Sequence, residues 1–144
     1  MVISGARKVI TMKDENIEAL LALKTWAIVG LSSNQLRPAY GVAALLHEHG
    51  HRVIAVHPKA EELFGERGYK TLSEIPFPID VVDLFVNSAL AGAVVDEAIE
   101  IGAKGVWLQL EVIDELACKR AEQAGLITVM NRCPAIEYGL QSKN

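Results

Sequence analysis

Cysteine is scarce in this chain: among 144 residues only Cys118 and Cys133 occur. A disulfide framework is therefore excluded as the basis of its stability, and two lone cysteines suit a reducing compartment. Apolar runs long enough to span a bilayer, ~20 residues, are missing as well. The amino-terminal stretch holds no apolar run followed by a small-residue cleavage site, so the expected location is cytoplasmic, with no membrane partner. Excess positive charge is also absent. Fourteen Lys+Arg against eighteen Asp+Glu give a net charge of −4, which argues against a general nucleic-acid surface but allows a local basic pocket. No low-complexity tract, Pro/Gly/Ser linker or long charge run divides the sequence, so one domain over 1–144 is expected, with an opening helix at about 14–24 and a core at about 25–140. At this length folding buries roughly 68% of the extended chain's surface, enough for a core without metal or disulfide staples.

What is present is an alternation of two hydrophobic periods. Short, nearly continuous apolar runs occupy Trp26 to Val29, Val53 to Val56, Val81 to Val86, Val106 to Leu110 and Leu126 to Met130. Continuous apolar character is what strands of a parallel sheet covered on both faces require. Between the runs lie helical stripes: Val42, Leu45, Leu46 and His49; Ala91, Val95, Ala98 and Ile99; Ile113, Leu116, Ala117 and Ala124. Gly50, Gly102 and Gly125 follow these stripes where a left-handed helix end is expected. Pro38 suits a first helical turn, and Ser88 is placed to cap the helix after the third strand. The second crossover, 58–80, holds Gly65, Gly68, Pro76 and Pro78 and leaves room only for short helical turns. The expected fold is α/β, a doubly wound, Rossmann-like five-stranded parallel sheet of order 3-2-1-4-5 with helices on both faces. Ligands of such a sheet bind beyond the carboxyl ends of the strands, where the winding reverses.

The first strand ends in Gly30-Leu31-Ser32-Ser33-Asn34-Gln35-Leu36-Arg37-Pro38. Free amides at a helix N-terminus, two hydroxyls and a guanidinium suit phosphate, although an ordinary strand-to-helix turn also fits. The dinucleotide fingerprint G-x-G-x-x-G fails, because Ser32 and Gln35 stand where glycines belong. Strand two ends in His57-Pro58-Lys59, placing a cation where NAD enzymes offer a carboxylate to the ribose. The ligand's adenosine end is then expected to carry its own phosphate, as in a 2′-phosphorylated nicotinamide dinucleotide or in coenzyme A; a solvated surface lysine is the plainer account of Lys59.

The other strand ends, Val86-Asn87-Ser88, Gln109-Leu110-Glu111 and Asn131-Arg132-Cys133-Pro134, supply no base and nucleophile pair. No catalytic residue is assigned. Cys133 lies beside Arg132 but has no histidine placed to activate it, and Cys118 reads as inert. His47, His49 and His51 invite a metal, yet His47 and His49 point to different faces of a helix and no further ligand stands at a useful spacing, so no metal is expected.

The blocks "AIVGLSSNQLRPAYGV", "HRVIAVHPK", "GYKTLSEIP", "DVVDLFVNS", "GAKGVWLQLEV" and "AGLITVMNRCPAIE" follow in order. Together, from about residue 16 to 140, the chain resembles the small single-domain CoA-binding protein family, whose Rossmann-like fold is similar to the CoA-binding domain of the succinyl-CoA synthetase α subunit. That enzyme's catalytic domain with its phosphorylated histidine is missing here. The resemblance implies that Gly30, Leu31, Ser32, Ser33 and Arg37 hold the phosphates, that His57, Pro58 and Lys59 lie near the 3′-phosphate end, and that Phe85, Val86, Asn87 and Gln109 floor the crevice. Four positions depart from the family pattern: His57 replaces asparagine or serine, Val86 an arginine, Glu111 a glycine and Asn131 an aspartate. Val86 removes a cation and Glu111 adds an anion, each costing about 1 kcal/mol if it faces the ligand. The expected function is non-catalytic binding of coenzyme A or an acyl-CoA. The alternatives are an NADP-dependent or CoA-linked small enzyme, or an interaction module that has lost its ligand; a monomer and a homodimer both fit.

Overall fold

Strands form where the apolar runs are. A computed structural model describes residues 11–141, so the ends of the expected domain, 1–10 and 142–144, lie outside the described residues. Five strands make one parallel sheet: β1 (Thr25–Val29), β2 (Arg52–Val56), β3 (Val81–Leu84), β4 (Gly105–Leu108) and β5 (Ile127–Met130). Five helices accompany them: α1 (Met12–Leu21), α2 (Pro38–Glu48), α3 (Ser88–Glu100), α4 (Glu115–Gln123) and α5 (Pro134–Gln141). On one face α1, α2 and α5 cover Trp26, Ile28, Trp107 and Val129; on the other α3 and α4 cover Val82, Leu84, Val106 and Leu108. Sandwiching the sheet in this way removes both faces from water, and each fully buried side chain is worth about 1.5–3 kcal/mol. The α/β Rossmann-like class is as expected. No helix among the described residues is long and apolar enough to cross a membrane.

The strand order is 2-1-3-4-5 rather than 3-2-1-4-5. The edge of β2, where the third strand was expected, is taken by a single residue of the irregular crossover. Tyr69 bridges Val56 in parallel, accepting from the His57 amide at 3.0 Å and donating its own amide to Ala55 O at 2.9 Å. Only a 3₁₀ turn, Leu72–Glu74, interrupts this crossover. The chain then returns beneath the sheet, and Asp80 N–H bonds Thr25 O at 3.0 Å, which seats β3 beside β1. The winding therefore reverses between β1 and β3, and the crevice stays at the carboxyl end of β1.

Local ends follow from capping chemistry. α1 starts two residues earlier than expected because Thr11 and Asp14 form a capping box, and it stops at Leu21, leaving Lys24 to lead into β1. Pro38 opens α2 as expected. The cap of α3 is Asn87, not Ser88: the Asn87 side chain accepts from Ala89 N–H at 3.1 Å, while the Ser88 hydroxyl accepts from Ile113 N–H at 2.9 Å and donates to Glu111 O at 3.2 Å. Ser88 thus ties α3 to the loop after β4.

The three histidines take separate roles. His47 packs on Phe64, His49 stacks on Tyr138 and bonds Leu45 O at 2.9 Å, and His51 is buried between Leu23 O and the Tyr138 hydroxyl. Burial holds His51 below the ordinary imidazole range.

Candidate functional site

At the carboxyl ends of β1, β3 and β4 the backbone itself makes a hollow. Gly30 N–H bonds Val56 O at 2.8 Å and Phe85 N–H bonds Val29 O at 2.9 Å, so the strand ends are held level. Gly30 has φ +104°, and a Cβ there would collide with the Phe85 carbonyl. Only glycine fits that conformation and that approach. Beyond it opens a cavity of about 680 Å³ lined by Gly30, Arg37, Phe85, Val86, Asn87 and Gln109, together with Glu111 and Cys133. Six of the twelve expected site residues therefore meet in one place.

Three helix N-termini face this cavity, through Arg37 and Pro38 of α2, Asn87 of α3 and Cys133 before α5. Their dipoles make it a favourable place for an anion. Arg37 is exposed at the rim and has no ion pair among the described residues. Gln109 lines the cavity but is 7% exposed, and its Oε1, buried away from the opening, lacks a hydrogen-bond partner among the described residues. A buried amide left open in this way is costly, at about 1–3 kcal/mol, unless something satisfies it.

The other six expected residues stand apart from the cavity. Leu31 is 1% exposed and its side chain belongs to the core. His57 turns back on its own loop, Nδ1 accepting from Lys59 N–H at 3.1 Å. Pro58 and Lys59 are exposed, and Lys59 has no ion pair among the described residues. Ser33 is engaged by a residue that the sequence did not single out. Glu61 accepts from the Ser33 hydroxyl at 2.6 Å and from its amide at 3.0 Å. These bonds, with help from Lys59 and His57, hold Glu61 below the usual carboxylate range. Ser32 Oγ accepts from Asn34 N–H at 3.3 Å, whereas the amides of Leu31 and Ser32 themselves have no acceptor among the described residues. A carboxylate thus already sits on part of the loop that suits phosphate.

Two departures from the family pattern can now be placed. Val86 and Glu111 both line the cavity. Glu111 has φ +68°, the left-handed region, and its amide donates to Asn131 Oδ1 at 2.8 Å, Asn131 itself having φ +60°. A glycine adopts that backbone without the cost of about 1–2 kcal/mol that a side chain adds.

Glu61 carried no signal in sequence, because it lies in the crossover, 28 residues from Ser33. Cys133 did carry one, its place at the carboxyl end of β5.

Comparison with known proteins shows the family. The family described as CoA binding domain matches residues 24–139. The uncharacterized protein YneT of Bacillus subtilis is 30% identical over 128 residues, 89% of this chain and 95% of that protein. A solved structure of a hypothetical protein from Pyrococcus horikoshii OT3 is 42% identical with a TM-score of 0.82, covering 90% of this chain and 91% of that one. The ADP-forming acetate–CoA ligase of Methanocaldococcus jannaschii is 25% identical over 93 residues, 65% of this chain but 13% of the ligase.

Proposed function

The chain belongs to the CoA-binding domain family, and from that membership we propose that it binds coenzyme A or an acyl-CoA, without catalysing a reaction, at the carboxyl ends of its parallel strands. The observation that carries the reading is the cavity at Gly30. It joins a guanidinium with no ion pair among the described residues to the N-termini of three helices. Arg37 and the amides of Leu31 and Ser32 would take the diphosphate. Phe85, Val86 and Gln109 would line the path of the pantetheine arm. Lys59, exposed on the loop after β2, would meet the 3′-phosphate from outside the cavity. A ligand that also uses Ser33 must displace Glu61, and Glu111 adds repulsion at the rim, so weak affinity is expected.

Among the described residues, no nucleophile hydrogen-bonded to a base lines the cavity. Glu61 and Glu111 also favour a second reading, an interaction module that no longer takes a ligand. Calorimetry with coenzyme A and with dephospho-CoA separates the two. Under the leading reading coenzyme A binds, the dephospho form binds more weakly, and Arg37→Ala weakens binding roughly tenfold, about 1.4 kcal/mol, while lowering its salt dependence. Absence of heat with both ligands supports the module; equal affinity for both removes Lys59 from the site.

A further inference from the structure

We propose that the coenzyme A derivative held at this site carries an uncharged, apolar acyl group, and that Glu111 turns away acyl groups ending in a carboxylate. The inference rests on the CoA-binding reading and names the class of ligand for the same cavity. Strand order sets the direction in which such a ligand lies. Lys59 follows β2, Gly30 and Arg37 follow β1, Phe85 to Asn87 follow β3 and Gln109 to Val112 follow β4. In the sheet β2, β1, β3 and β4 stand side by side in that order. A ligand whose phosphates meet Lys59 and Arg37 therefore runs its arm across the end of β3 and brings the tip of the arm to β4, which stands about 10 Å from β1 at the usual strand spacing.

The cavity changes character along this path. Arg37 and Glu111 are the two charged residues of its wall, the cation at the start of α2 and the anion in the turn after β4. Between them the wall carries Phe85, Val86, Leu110 and Val112. Leu110 is 46% exposed, a large apolar side chain left open on the wall, and an apolar group arriving there gains by covering it. The amides on this side are turned to other tasks: Asn87 Oδ1 accepts Ala89 N–H at the start of α3, and Gln109 Oε1 is buried away from the opening. The diphosphate takes the α2 end, so the charge that the acyl end meets is that of Glu111.

The backbone fixes where that charge stands. Val112 N–H bonds Gln109 O at 2.9 Å and closes a turn in which Glu111 has φ +68°, the left-handed region that glycine adopts most readily. Glu111 N–H bonds Asn131 Oδ1 at 2.8 Å, and Glu111 O accepts the Ser88 hydroxyl at 3.2 Å. Its carboxylate has no ion pair among the described residues. A strained side chain that keeps an unpaired charge on a cavity wall points to a use for the charge. A carboxylate at the end of an acyl group meets a like charge here, whereas a methyl group meets Leu110 and Val112.

The test is calorimetry of the full chain with butyryl-CoA and succinyl-CoA, whose acyl groups have the same number of carbons and end in a methyl group and a carboxylate, beside free coenzyme A. Butyryl-CoA should bind roughly tenfold more tightly than succinyl-CoA, from one apolar group covered and one repulsion at the rim together, and the ratio should shrink with added salt. Glu111→Gln, and Glu111→Gly, which suits the turn, should each cut the ratio roughly threefold by tightening succinyl-CoA more than butyryl-CoA. Leu110→Ser should weaken butyryl-CoA roughly threefold and free coenzyme A less. The inference is overturned, and the binding reading kept, if coenzyme A binds but succinyl-CoA binds as tightly as butyryl-CoA, or if the ratio is unchanged in both Glu111 variants. Absence of binding by coenzyme A and by both acyl-CoAs overturns the two together.

Discussion

The two ends of the sheet are built from the same strands and treat their polar groups in opposite ways. At the amino end two ion pairs close on the strands. The Asp80 carboxylate accepts Thr25 N–H at 3.0 Å and pairs with Lys104 at 3.4 Å, and Asp80 O receives the amides of Lys104 and Gly105. Arg52 grips Glu66 with two bonds, of 2.6 and 3.1 Å, and lies 4.0 Å above the Phe77 ring. At the carboxyl end Arg37 has no ion pair among the described residues, Gln109 Oε1 has no partner, and Glu111 and Asn131 hold left-handed backbone. One end closes its hydrogen bonds internally; the other keeps polar groups uncommitted, at a cost in stability that a ligand can recover.

The largest break in this contrast should come from Gly30→Ala. The new methyl meets the Phe85 carbonyl in a left-handed backbone, so denaturant unfolding should show a loss of about 2–4 kcal/mol and coenzyme A binding should disappear with it. A purely local adjustment, with both quantities unchanged, would mean that the strand ends are not held level by this contact.

Asp83 tests the middle of the sheet, which belongs to neither end. It is 0% exposed in β3, in register with Ile28 and Trp107, and neither carboxylate oxygen has a partner. Burial pushes its titration well up, so the folded protein keeps the proton. The unfolded chain releases it above about pH 4. Stability must therefore fall as pH rises from there until the folded group also ionises. Asp83→Val should raise the unfolding free energy at pH 7 by about 1–3 kcal/mol, with the gain shrinking toward pH 4 in parallel denaturant titrations. A gain that grows on acidification would refute the buried neutral acid.

At the amino end Arg52→Ala should lower stability by about 1 kcal/mol, since the pair is partly exposed, and leave coenzyme A affinity as it was. A change in affinity there would erase the division of labour between the ends. The smallest effect is expected from relieving the carboxyl end of its anions: Glu61→Gln or Glu111→Gly should each tighten coenzyme A roughly two- to fivefold in calorimetry. Weaker binding in Glu61→Gln would show that the carboxylate orders the loop rather than competing with the ligand.

Some of these features were legible residue by residue. The runs around Ile28, Ile54, Val82, Val106 and Val129 became strands because each had to be buried on two faces, and Pro38 became a first helical turn because its ring already has the φ of one. The strand ends then brought Gly30, Arg37, Phe85, Val86, Asn87 and Gln109 to one cavity. Glu61 was not legible, because nothing in an irregular crossover says which distant amide it will meet. Nor was Ser88, which could cap its own helix but instead serves the loop after β4.

Hydrophobic period and capping chemistry, acting over a few residues, determined the alternation of strands and helices and hence which end of the sheet would be open. The order of the strands, the carboxylate resting on Ser33 and the partnerless oxygen of Gln109 were decided only when distant segments packed. Each depends on where the crossover between β2 and β3 travels and on which groups are left over once the core has closed, and those are properties of the assembled chain, not of any stretch within it.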